Sequence, residues 1–100
     1  MSDESARLDK WLWCVRVFKT RADAAKVISG KNARITRTGQ TMRTDKPAFK
    51  LRIGDVVTVM RGPRLFILEV LDLPERRLSA PAAAMCYRDV NDEETTDDAR

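Results

Sequence analysis

Two observations predict an α+β fold. Apolar residues recur at helical spacing within the first 30 positions, and strand-like alternation broken by turn signals takes over from Ala33. A third, Ser79 followed by Pro81 and a run of alanines, adds a short C-terminal helix. The predicted architecture is an N-terminal helical hairpin packed on a small, mostly antiparallel sheet.

The first helix is expected from an N-cap at Ser5 to about Phe18. Leu8, Trp11, Leu12, Val15 and Phe18 form its apolar stripe, and Trp13 falls roughly opposite. The second helix follows at once. Thr20 and Asp23 read as a capping box, Ala24, Ala25 and Ile28 give a narrow apolar face, and Gly30 is a natural stop. So short a link forces the two helices into a hairpin. ARIT, residues 33–36, then alternates as a strand, and RTGQ supplies a turn at Gly39. Pro47 and Gly54-Asp55 punctuate the next segment. VVTVM, residues 56–60, and LFILEVLDL, residues 65–73, read as strong strands, antiparallel neighbours across the short RGPR loop. The last helix is expected from Ser79 to about Arg88. Residues 1–6 read as a polar N-terminal segment, 7–88 as the folded domain, and 89–100 as a disordered acidic tail.

Charge is divided along the chain. The net is +4, but residues 89–100 hold six acids and one base. That leaves 18 bases against nine acids, net +9, in residues 1–88. A strongly basic folded part points to a polyanion, most often nucleic acid. No apolar run approaches the roughly 20 residues of a membrane span, and MSDESARLDK carries no apolar signal-peptide core, so a cytoplasmic, membrane-free protein is expected. Cys14 and Cys86 stand far apart in sequence and read as ordinary thiols. Histidine is absent, which removes the commonest general base and metal ligand. With no triad, no glycine-rich phosphate loop and no ligand cluster, the expectation is a non-enzyme without metal or cofactor.

The candidate binding residues cluster on the hairpin. Arg7, Lys10, Arg16 and Lys19 flank the apolar stripe, reaching about 18 Å if carried on one continuous helix. Lys19 and Arg21 bracket the start of the second helix at Thr20, where free N–H groups and the helix dipole favour an anion. Lys31, Arg34 and Arg37 extend the basic surface into the first strand and turn, and Arg43, Lys46, Lys50 and Arg52 continue it more diffusely. Arg76 and Arg77 are further candidate contacts. Trp13 has two readings: packing under another element, or stacking on an unpaired base. Asp9, in the first turn, is read as structural, orienting a neighbouring cation.

RLDKWLW, then KTRADAAKVISG, then TGQ and the segment around IGDVVTV resemble the RNA-binding domain named after small-subunit ribosomal protein S-four. The resemblance covers about residues 7–88. LPERRLSAPAAAMCY is similar to the end of small stand-alone members, the ribosome-associated fifteen-kilodalton heat-shock proteins and a related factor of bacterial ribosome quality control. Thr38-Gly39 stands where the family often has Asn-Gly, and the acidic tail stands where heat-shock members carry a long basic extension. The resemblance implies structured RNA as ligand, with Arg7, Lys10, Arg16, Lys19 and Arg21 as binding cations. For stand-alone members it implies ribosomal RNA on the large ribosomal subunit, with peptidyl-tRNA, in stalled-ribosome rescue or recycling. A monomer is expected. Two other functions stay open: a protein–protein adaptor with a basic face, and an accessory subunit of an RNA-modifying enzyme.

Overall fold

The structure is a computed structural model describing residues 4–90. The elements in chain order are β1 (Ala6–Arg7), α1 (Leu8–Cys14), α2 (Arg21–Ser29), β2 (Ala33–Arg37), β3 (Gln40–Thr44), β4 (Lys50–Leu51), β5 (Val56–Arg61), β6 (Arg64–Val70), α3 (Ala80–Ala84) and β7 (Tyr87–Asp89). All strand pairs are antiparallel. Five strands form one sheet in the order β3-β2-β5-β6-β7, and β1 pairs with β4 in a separate ribbon. The α+β class with a helical hairpin on an antiparallel sheet is as the sequence predicts.

The predicted stripe is the heart of the core. Leu8, Trp11, Leu12, Val15 and Phe18 are all buried, packed with Ala24 and Ile28 of α2. Against them lies one face of the sheet, including Ala33, Ile35, Val57, Val59, Leu68 and Val70. Burial of each large aliphatic side chain stabilises by about 1.5–3 kcal/mol. Trp11 is fully buried, and its indole N–H donates to the Asp72 carbonyl at 2.9 Å, which pins the 71–78 segment across α1.

Helix α1 is much shorter than the expected Ser5–Phe18. At its start, Arg7 is the N-cap and makes no side-chain cap bond. The free N–H groups of Leu8 and Asp9 instead donate to the carbonyls of Phe49 and Pro47. Ser5 has no capping role because Ala6 and Arg7 are already extended, paired with Leu51 and Lys50. At its end, Arg16 takes a left-handed backbone, φ 68°. Arg16 N–H donates to Trp13 O and Val17 N–H to Leu12 O, the two bonds of a Schellman stop, and Val17 is buried with Leu12. Periodicity could not reveal this, because Val15, Val17 and Phe18 stay apolar after the helix has ended.

Helix α2 follows the reading more closely. Thr20 Oγ1 accepts from Asp23 N–H at 3.0 Å, as the capping box requires. Gly30 is its C-cap with an ordinary φ of −79°, and the left-handed position falls one residue later, on Lys31 at φ 66°. Lys31 N–H to Ile28 O and Asn32 N–H to Val27 O repeat the same stop.

Strands β2 and β3 join through Thr38 (φ 49°) and Gly39 (φ 82°), both left-handed, as a tight two-residue hairpin requires. Strands β5 and β6 join through Gly62 (φ 60°) and Pro63, where glycine supplies the positive φ. The second strong strand ends at Val70 rather than at Leu73.

The C-terminal helix, expected to Arg88, stops at Ala84. Ser79 Oγ caps it from the predicted position, accepting from Ala82 N–H at 3.4 Å. Cys86 O then accepts from Leu71 and Asp72 N–H, and Tyr87–Asp89 pairs with the open edge of β6. The backbone groups of that edge gain partners from the strand, which an isolated helical turn would not provide. Asp89, assigned by sequence to the tail, is therefore part of the sheet. The rest of the expected disordered tail, from residue 91, and residues 1–3 lie outside the described residues.

Arg37 is a structural residue. It donates through Nε and Nη2 to the buried Asp55 carboxylate at 2.9 and 2.8 Å, donates to Lys50 O at 3.0 Å, and stacks over Phe49. Asp55 also accepts from Arg52 N–H at 2.8 Å. Replacing Arg37 with Ala leaves a buried carboxylate without its charge partner. That variant is expected to lose about 3 kcal/mol of stability in urea denaturation, and Arg37→Lys to recover only part of it because the two-point grip is gone.

Candidate nucleic-acid interface

Three short elements meet at Asp9. Its carboxylate is almost fully buried and accepts from Arg7 Nε and Nη2, both at 3.1 Å. Arg21 Nη2, from the first residue of α2, lies 3.5 Å from the same carboxylate. Burial pushes the Asp9 carboxyl pKa up, but the hydrogen bonds from Arg7 and the charge of Arg21 outweigh it and hold the group below the usual carboxylate range. The two arginine side chains remain about half exposed, 50% and 43%. One negative charge inside thus fixes two guanidiniums outside, with donors left over to face a ligand.

Beside this pair stands a second group at the turn between the helices. Arginines meet carbonyls at the end of α1, in the turn after it and at Leu78. Arg77 Nε donates to Trp13 O at 3.1 Å and its Nη2 to Phe18 O at 3.3 Å; Arg61 donates to Val17 O; Arg16 Nη1 donates to Leu78 O at 3.1 Å. Cations suit the carbonyl end of a helix. Lys19, Lys26 and Arg61 line a hollow with Phe18, Val27 and Asp23. Cys14, at the end of α1, is a buried free thiol. Burial raises its pKa, while the charges of Lys10, Arg21 and Arg77 oppose the rise. Burial likewise raises the Cys86 thiol, and both cysteines are free.

The sequence-predicted residues are thus divided. Arg7 and Arg21 are brought together by Asp9, with Lys10 nearby and Lys19 and the Thr20 cap at the adjoining turn. Because α1 has only seven residues, about 10 Å, the cations do not track one continuous rod; Arg16 and Lys19 sit on the turn after it. Trp13 is half-buried, with the Arg77 guanidinium carbon 5.9 Å from its ring centroid, so one indole face is occupied. Arg34 lies on the opposite face of the sheet from the helices, since Ala33 and Ile35 point into the core. Lys31 is exposed at the end of α2 beside Arg34, and Arg37 is held inside by Asp55. Arg61 and Lys26 were missed by sequence reasoning. Nothing in the local pattern of either predicts that the β5–β6 turn and the exposed flank of α2 converge on the interhelical turn.

No protein-family model matches the chain. The heat shock protein 15 homolog of Aeromonas salmonicida is 36% identical over 83 residues, 83% of this chain and 59% of that protein. Heat shock protein 15 of Escherichia coli K12 is 34% identical over the same share of each. A solved structure of Vibrio cholerae heat shock protein 15, described as trimeric, superposes with a TM-score of 0.75 and 30% identity, covering 97% of both chains. The chain belongs to the heat shock protein 15 family. It spans about three fifths of the length of the curated heat shock protein 15 relatives it matches.

Two outcomes follow from the geometry of this heat shock protein 15 relative. A lowered carboxylate pKa contributes stability that is present above the ordinary value near 4 and lost as pH falls through the folded-state value. The stability gap between the native chain and Asp9→Asn is expected to narrow on acidification below about pH 4, as read by urea melts at stepped pH. Arg16→Gly removes about 1 kcal/mol of left-handed strain and one exposed hydrogen bond. Its melting temperature is expected to hold or rise by a few degrees; a clear fall means the bond to Leu78 outweighs the strain.

Proposed function

We propose that the protein is a non-catalytic RNA-binding protein with a domain of the S-four type, acting on ribosomal RNA of the large subunit, with peptidyl-tRNA, in stalled-ribosome rescue or recycling in the cytoplasm. The observation that carries the RNA reading is the pair of half-exposed guanidiniums on one buried carboxylate, beside the capped start of α2. Guanidinium forks held in place suit phosphate oxygens, and a fixed spacing of such forks reads the shape of a folded RNA more than its sequence. Family membership and the net charge of +9 over residues 1–88 support the same reading. The ribosomal role rests on the sequence resemblance.

The Vibrio relative is described as a trimer. The Arg7–Asp9–Arg21 group is complete within one chain, so a monomer is proposed as the binding unit. A protein adaptor or an enzyme's accessory subunit would also use a basic face. A lysate sedimented on a sucrose gradient, with and without ribonuclease, separates these readings. The protein is expected with the large subunit only in the untreated sample; co-migration with an acidic protein that survives ribonuclease contradicts the proposal.

In direct titration, affinity for a structured ribosomal RNA fragment is expected to fall steeply with salt, log K changing by about 0.7–0.9 per phosphate for each unit of log salt concentration. Arg7→Ala and Arg21→Ala are each expected to weaken binding about tenfold, in line with loss of a charge-assisted contact. Normal binding by both variants would place the interface elsewhere.

A further inference from the structure

The sheet face turned away from the helices carries its own charge pattern. Along one row across it stand Arg43, Arg34, Thr58 and Ile67, directly opposed in register. Two arginines facing each other across neighbouring strands repel. Neither makes an ion pair among the described residues. Lys31 borders both, lining one hollow with Arg34 and another with Arg43, and Asp45 is the one acid lining either hollow. The residues of this face are exposed or half-exposed, none buried. Further toward β7, Glu69 and Arg88 neutralise each other at 2.7 Å. The face therefore presents a cluster of three cations without a compensating set of acids.

The same chain continues with the complementary charge. Strand β7 ends at Asp89, opposite Leu68, one rung from the Arg43–Arg34–Thr58–Ile67 row. The sequence then supplies Asp92, Glu93, Glu94, Asp97 and Asp98 with no base before Arg100. From β7 to β2 is three strand spacings, about 14 Å, and to β3 about 19 Å. Val90, next after the edge strand, is helical, and the eight steps from it to Asp98 would reach at most about 26 Å at full extension. The acidic stretch follows closely on the edge strand, and the cations lie within that reach.

We propose that the acidic segment Asp92–Asp98 docks back across the outer sheet face, with its carboxylates on Lys31, Arg34 and Arg43. Docked there, it competes with RNA for these cations and leaves the flank around Arg7 and Arg21 as the open site. The competition clause rests on the RNA reading above; the docking does not.

The test uses the full chain. A variant with Asp92→Asn, Glu93→Gln, Glu94→Gln, Asp97→Asn and Asp98→Asn is compared with the native sequence by ¹⁵N NMR at low salt. Backbone and arginine Nε resonances are expected to differ at Lys31, Arg34, Thr58 and Arg43 and to match at Arg7, Lys10 and Arg21. The differences should persist on tenfold dilution and vanish near 1 M salt, where screening acts within about 3 Å. Arg34→Gln with Arg43→Gln in the native-tail chain should abolish them. Matching spectra, differences centred on the helical flank, or differences that fade on dilution (the tail of a second copy) overturn the docking. A labelled RNA hairpin of about 20 nucleotides then serves as probe in fluorescence anisotropy. The amide variant is expected to bind it at least threefold more tightly, and equal affinity overturns the competition. If neither chain binds the hairpin while the NMR pattern holds, the docking stands and the RNA reading fails.

Discussion

The contact between Asp9 and the arginines on either side of it in space organises the rest of the domain. Asp9 sits in the first turn of α1, Arg7 in the short ribbon with β4, and Arg21 at the opening of α2. A buried carboxylate without partners would be strongly unfavourable. The two guanidiniums offset that cost, and to do so they must come from both sides at once. The entry of the chain, the first helix and the start of the second are thereby tied to one point. The closeness of α2 to α1, allowed by Ala24 with no bulk to clear, is what brings Arg21 into range.

Two buried acids treat their arginines differently. Asp55 closes around Arg37 at two points and draws it to 27% exposure, with Lys50 O and Phe49 completing the enclosure. Asp9 shares its oxygens between two arginines and leaves both about half exposed. The first arrangement locks the β2–β3 hairpin to the β4–β5 connection. The second presents charge outward on a fixed base. The arginines that serve the carbonyls of Trp13, Val17, Phe18 and Leu78 each spend part of their donor set on the fold. A count of basic residues would treat them all alike.

The helical hairpin, its apolar stripe, the Thr20 cap and the β5–β6 pair were legible because each is written in residues close in sequence. The ends of α1 were not. Its start depends on the carbonyls of Pro47 and Phe49, some 40 positions away, and its stop on a left-handed Arg16 where glycine is usual. Tyr87 and Arg88 were read as helix, and Asp89 as tail, because their partner, the edge of β6, is visible only once the sheet order is known. For the candidate site, the sequence placed Arg7 and Arg21 on the hairpin and made Asp9 structural, and the structure joins the three. Lys31, Arg34 and Arg37 follow one another at intervals of three positions, yet alternation sends Arg34 to the outer face and Arg37 toward Asp55. Adjacency in sequence was no guide to adjacency in space on a strand.

The family assignment and the geometry bear on different questions. Kinship with heat shock protein 15 says which proteins this chain resembles; the Asp9 group says how a basic surface is given a fixed shape. The account holds that position matters more than charge, and the RNA affinity of Asp9→Asn tests this most directly. The substitution raises the net charge by one, so a surface that bound by charge alone would bind more tightly. The account predicts weaker binding at constant salt, with the domain still folded by circular dichroism, because the two guanidiniums lose the carboxylate that holds them. Binding that is unchanged or tighter would contradict it.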